Sequence, residues 1–452
     1  MTLNSLSSRR TFLRNAGAGV AAAAVSRLTM MNALAQTAPD YKALVCIFLM
    51  GGNDGHNTLI PQDTAGFAAY RGARGGLALP DGNTPLVQIA AKDGRPFAFN
   101  GGLSAVASLW GQGKLAAVAN VGMLVQPTTR QQYMANAVTL PSNLFSHADQ
   151  VIAMQAGNPF GSGGTGWAGR IADAVQPLNG AANFPSAFSM NGASLFCTGN
   201  VIQSASLYPG FDLSLNGLST WPTTGPQPRA QALQEILTFD SGLALVQAAN
   251  KVNQDARALN LMLRSAGTSQ PLTTAFPGTN LGLQLRQIAE IIKLRTATGM
   301  SRQVFFASIG GFDTHSSQSW QHWDLLRQVS EAMMAFYNAT AEMGIADKVT
   351  TFTESDFGRT LQPSGSGSDH GWGSHHLVMG GGVKGGDVYG TFPTLALGGP
   401  DDTNLRGVLI PTTSIDQYGA TMAKWFGVGS AAMTQVFPNL GNFPVSDLGF
   451  LA

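Results

Sequence analysis

Residues 42–50 (KALVCIFLM) are apolar from Ala43 onward with no polar alternation, and the run stops at Gly51-Gly52. A strand with one wet face alternates apolar and polar residues. One that is apolar throughout reads as covered on both faces, as strands of parallel α/β sheets are. Comparable runs stand at 114–121, 303–309, 348–353 and 377–379, each ending at a Gly-rich or polar loop. Between them, 281–298 and 320–343 repeat apolar residues every three or four positions with charges on the other face, a helical pattern. The alternation predicts a doubly wound, mostly parallel α/β sheet flanked by helices. Residues from about 146 to 278 are less regular, with one helical stretch near 230–261, and read as an insertion or cap within a single domain spanning 40–452.

The N-terminus carries Ser8-Arg9-Arg10-Thr11-Phe12-Leu13, then a weakly apolar stretch, then Ala33-Leu34-Ala35. Basic, apolar and small-residue regions in that order predict a twin-arginine signal peptide over 1–35, recognised by the Tat export machinery. The apolar part is short and broken by Arg27, so no permanent membrane span is expected. The expected localisation is periplasmic or secreted. Removing Arg9, Arg10, Arg14 and Arg27 leaves 22 basic against 25 acidic residues, a charge of −3, which gives no footprint for nucleic acid. Cys46 and Cys197, far apart in sequence, read as unpaired.

Three acidic motifs follow expected strands: Gly51-Gly52-Asn53-Asp54-Gly55, Gly310-Gly311-Phe312-Asp313-Thr314-His315, and Glu354-Ser355-Asp356-Phe357-Gly358-Arg359-Thr360. Loops at the carboxyl ends of strands form the ligand crevice of open α/β sheets. A fourth motif, Ser368-Asp369-His370-Gly371-Trp372-Gly373-Ser374-His375-His376, precedes the last strand-like run and can approach the same rim. Carboxylates and neutral imidazoles gathered in one crevice call for a cation between them. One or two divalent ions are therefore expected, of zinc, magnesium, manganese or calcium. Arg359 is placed to hold the free oxygens of a phosphoryl or sulfuryl group. His375 and His376 read as structural or supporting, His56 as flanking its loop, and His322 as lying on a helix surface beside Trp320 and Trp323. A P-loop, a G-x-S-x-G elbow and a dinucleotide fingerprint are all missing.

These motifs, with Asn57, Ser146-His147, Gln150, Gly166-Trp167, Gly169-Arg170 and Gly380-Gly381-Gly382, resemble the Tat-exported family called domain-of-unknown-function 1501. That family is placed in the alkaline-phosphatase-like superfamily with sulfatases and phosphoglycerate mutases. The resemblance implies that fold, and metal ligands at Asp54, Asp313, His315, Asp356, Asp369 and His370. Ser146 is its implied nucleophile, with His147 a catalytic group or ligand. Two positions depart from the family: Asp356 stands where Glu is usual, and Phe145 where Arg precedes the Ser-His pair. The expected function is hydrolysis of a small anionic phosphate or sulfate ester. The alternative is a non-catalytic secreted protein that keeps the fold and binds a cell-surface partner.

Overall fold

Strand β1 (Lys42–Leu49) shows why its sequence does not alternate. Ala43, Val45, Ile47 and Leu49 point into one core, and Leu44, Cys46 and Phe48 into another on the opposite face. Each fully buried side chain of this size contributes about 1.5–3 kcal/mol relative to exposure, so both faces favour the central position. The computed structural model describes residues 41–161, 163–209, 224–269, 271–380 and 382–452; the export segment expected at 1–35 lies outside them.

The remaining strands are β2 (Leu59–Pro61), β3 (Leu86–Ala90), β4 (Pro96–Asn100), β5 (Leu115–Gly122), β6 (Ala187–Ser189), β7 (Ala205–Ser206), β8 (Arg302–Ile309), β9 (Val349–Ser355), β10 (Ser374–Met379), β11 (Val388–Tyr389) and β12 (Thr413–Ser414). Among the described residues, nine form the main sheet, in the order β11-β5-β10-β9-β1-β8-β6-β7 with β12 pairing β5. All pairs in it are parallel except those of β10, which runs antiparallel to β5 and β9. Strands β2, β4 and β3 make a small antiparallel sheet. The fold is thus α/β with a mostly parallel central sheet.

The helices that matter for the site are α1 (Thr64–Arg74), α2 (His147–Ala156), α3 (Trp167–Val175), α4 (Pro226–Thr238), α5 (Ala244–Ser269), α6 (Asn280–Lys293), α7 (Gln318–Glu342) and α8 (Ile415–Phe426). α6 and α7 cover the first core, while α3 and α8 cover the second. Because β8, β1 and β9 are parallel neighbours, the three acidic loops leave the sheet at one edge. Antiparallel β10 brings the segment preceding it to the same edge.

Three expectations need correction. The stretch 146–278 is not wholly an insertion, since β6 and β7 extend the central sheet beyond β8. At three and two residues they are too short to leave a pattern. The helical stretch near 230–261 is two helices, α4 and α5, broken around Asp240 and Gly242 (φ 70°). His322 does not lie on a helix surface: it is buried, and its Nε2 bonds Asn53 Oδ1 at 3.0 Å. Cys46 and Cys197 are both free and buried.

Candidate metal centre

Two glycines let the three loops interlock. Gly51 (φ 117°) and Gly52 (φ 83°) adopt a backbone that side chains disfavour. A Cβ on Gly51 would collide with the backbone nitrogen of Asp313, and one on Gly52 would lie 2.6 Å from the Phe357 ring. The close approach lets the Gly51 and Gly52 amides donate to Asp356 Oδ1, both at 2.9 Å. Asp356 is thereby fixed, and its second oxygen, which also lies 3.2 Å from the Gly51 amide, keeps a lone pair for one more donor.

That oxygen accepts from His147 Nδ1 at 2.6 Å. His147 opens α2, directly after Ser146. His370 Nδ1 donates to the carbonyl of Phe145 at 2.7 Å, and Phe145 holds a left-handed backbone (φ 76°). His315 Nδ1 lies 3.4 Å from Asp369 Oδ1. With a proton on each Nδ1, all three rings carry a bare lone pair on Nε2.

Those lone pairs converge. Asp313 Oδ1 lies 2.9 Å from His315 Nε2, 3.3 Å from His370 Nε2 and 3.4 Å from His147 Nε2, and the Nε2 atoms of His315 and His370 are 3.1 Å apart. His147 Nε2 is buried without a hydrogen-bond partner. One ligand atom each of His147, Asp313 and His370 falls within 4.8 Å of the others. Around a tetrahedral ion with bonds of 2.0–2.1 Å, ligand atoms sit about 3.3 Å apart, which the separations of Asp313 Oδ1 from His147 and His370 match; His315 falls outside that group of three and reaches it through Asp313 and His370. Each imidazole is backed by an oxygen acceptor, as metal-binding histidines usually are. The cluster is open: the side chains of His315 and Asp313 are 48% and 45% exposed.

Electrostatics follow these contacts. The hydrogen bond that His147 donates to Asp356, outweighing partial burial, raises the His147 pKa. Burial is the main influence on His370 and lowers its pKa, and the neighbouring His147 and Arg359 add to it. For Asp313, burial pushes the pKa up, but Arg359, His315 and His147 together outweigh it and hold the carboxyl at about 2.

The other expected residues meet the imidazoles indirectly or not at all: Arg359 through Asp313, Ser146 as the neighbour of His147 in the chain. Asp54 is fully buried, its carboxylate paired with Arg74 of α1, bonded by Gln318 and accepting the amides of His56 and Asn57. It ends β1's loop as the cap of a short turn, its carboxylate taken up by these partners. Arg359 is also buried. Its Nη1 bonds Asp313 Oδ1 at 2.6 Å and the Gly51 carbonyl at 3.2 Å, and its Nη2 the Ser368 carbonyl. Ser146 is half-buried, and its hydroxyl donates to Asp149 Oδ2 at 2.5 Å. His56, His375 and His376 are buried, with pKa values lowered chiefly by burial. Sequence reasoning missed Arg74, the Phe145 carbonyl and Arg406, whose Nη2 lies 2.8 Å from Asp369 Oδ2. No motif flags any of them; the only signal was the Phe145 departure.

Residues 41–405 match the family described as "Protein of unknown function (DUF1501)". No curated protein matches the chain. Among solved structures, the chain is similar to the PsFucS1 sulfatase from Pseudoalteromonas sp., at 10% identity over 87% of this chain and 74% of that one, with a TM-score of 0.34. It is similar also to the lipoteichoic acid synthase LtaP from Listeria monocytogenes (7%, 86% and 73%, 0.34). A third is the soluble domain of lipooligosaccharide phosphoethanolamine transferase A from Neisseria meningitidis (8%, 86% and 89%, 0.33).

Proposed function

We propose, for a chain that belongs to the DUF1501 family of proteins of unknown function, that it is an exported, metal-dependent hydrolase of phosphate or sulfate esters. The observation that carries the reading is the convergence of three imidazole Nε2 atoms on Asp313 Oδ1, with His315 and His370 facing each other at 3.1 Å. Lone pairs this close repel one another unless a proton or a metal ion lies between them, and with the Nδ1 protons committed to Asp356 and the Phe145 carbonyl a metal ion fits the gap. Three imidazoles and one carboxylate suit zinc better than magnesium or calcium, which prefer oxygen donors. Asp54 is already neutralised by Arg74, so the donor set supports one ion rather than two. Export rests on the twin-arginine pattern of residues 8–13.

His147, Asp313 and His370 would hold the ion, with His315 beside Asp313 and His370 as a further ligand on small movement. Bound there, it supplies Lewis acidity that polarises an ester oxygen and lowers the pKa of a bound water or hydroxyl. The chain's own contributions are positional. Asp356, Asp369 and the Phe145 carbonyl hold the rings with Nε2 inward, and Arg359 offsets the charge of Asp313. The Ser146 hydroxyl proton is already directed onto Asp149, which leaves the serine oxygen's lone pairs available for attack.

The test is a panel of aryl phosphate, phosphodiester and aryl sulfate substrates, run with zinc-loaded wild type and His370→Ala. The reading predicts turnover of one ester class, reduced at least about 100-fold in the variant. Full zinc content without turnover on any ester would refute the hydrolase and favour the non-catalytic binding protein.

A further inference from the structure

The residue expected to hold a substrate's anionic oxygens, Arg359, has a buried side chain, and both its terminal nitrogens are engaged by Asp313 and two carbonyls. A second guanidinium stands at the open edge of the same cluster. Arg406 is 42% exposed and, among the described residues, its guanidinium meets one partner: Nη2 lies 2.8 Å from Asp369 Oδ2. An ion pair this exposed holds weakly, so the guanidinium can exchange its carboxylate for another oxyanion. Asp369 in turn faces His315 Nδ1, which sets Arg406 one side chain away from the converging imidazoles.

The backbone that presents Arg406 is pinned. Buried Asp402 accepts the amides of Gly398 (2.8 Å), Asn404 (3.1 Å) and Val408 (3.1 Å). The carbonyls of Arg406 and Gly407 accept from Gln362 and Leu361, both at 3.0 Å. Leu405, beside it, is exposed yet held in a left-handed conformation (φ 70°) that a leucine does not choose on its own. A fixed backbone carrying a half-free arginine suits recognition of a ligand.

Charge points the same way. Asp313, Asp356 and Asp369 against Arg359 and Arg406 give −3 + 2 = −1 around the neutral imidazoles. A divalent ion turns that into +1, which attracts an anion. We propose that Arg406 is the oxyanion-binding residue of this site, gripping a tetrahedral phosphate or sulfate group through its planar fork. This rests on the ester-hydrolase reading above.

The test is isothermal titration of inorganic phosphate and, separately, inorganic sulfate into the zinc-loaded full chain, its Arg406→Gln and Arg406→Lys variants, with zinc content measured in each. Arg406→Gln should weaken oxyanion binding about 10- to 100-fold at unchanged zinc, and Arg406→Lys less, because it keeps the charge but loses the fork. The tighter of the two anions identifies the ester class. Wild-type affinity in Arg406→Gln would overturn the assignment and leave the hydrolase reading intact. Loss of zinc in that variant would also overturn it, since Arg406 would then act through Asp369 and His315. A fully zinc-loaded wild type that binds neither anion would overturn both.

Discussion

Replacing Asp356 by asparagine tests whether the imidazoles are oriented for a metal. Asp356 is 2% exposed, takes two glycine amides on Oδ1 and accepts from His147 Nδ1 on Oδ2 at 2.6 Å. An asparagine oxygen can keep the glycine amides, but its NH2 then faces the Nδ1 proton of His147, donor against donor. The ring can relieve this only by moving the proton to Nε2, the atom aimed at Asp313, or by rotating away. A hydrogen bond to a charged group is worth about 1.5–3 kcal/mol. Loss of a supporting partner to a metal-bound histidine costs about 10- to 100-fold in affinity, an equivalent range. Asp356→Asn is therefore expected to weaken zinc binding about 10- to 100-fold, measured by competition with a chromophoric chelator. The measurement belongs at pH 8, because Asp356 also favours a competing proton on His147, whose pKa it raises. Near-UV circular dichroism should be unchanged. A change in affinity below about twofold, in a folded variant, would refute the orienting role.

Two further outcomes follow from buried charges. Asp54→Ala leaves Arg74 buried without its carboxylate and should cost about 3–5 kcal/mol in urea unfolding; the folded variant should still bind one zinc, and loss of zinc from folded protein would contradict the geometry. Asp416 is raised by burial from its ordinary 3.8 to about 7, so the folded protein keeps its proton where the unfolded chain has lost it. Stability from this group is full below about pH 4 and declines as pH rises to about 7, by on the order of 4 kcal/mol. Asp416→Asn should thus gain on wild type across that window and hold the gap above it, and a pH-independent difference in urea midpoint would refute the assignment.

The fold was largely legible because its evidence is local. The run at residues 42–50 feeds two cores at once, and no surface strand has a reason to do so. Breaks in periodicity were harder to see: Gly242 separates α4 from α5 by backbone conformation, while the apolar spacing of residues 230–261 continues across it. At the site, the motifs located the rim, since parallel strands deliver their loops to one edge. They could not say where each carboxylate points. Asp54 and Asp313 follow adjacent strands in similar glycine loops, yet the first turns in to meet Arg74 and the second meets three imidazoles. That division depends on Arg74, an arginine in α1 with no motif around it. Asp356 and Asp369 reach the imidazoles from behind, at Nδ1, a distinction of one ring atom that spacing does not encode. Phe145 acts through its carbonyl, which residue type does not reveal.

The most direct measurement of the central claim is elemental analysis of protein purified without chelators, comparing wild type with His147→Ala, His370→Ala. One divalent ion per wild-type chain is expected, zinc before others, and none in the folded double variant. A well-folded wild type that carries no ion and takes up none from added zinc would contradict it.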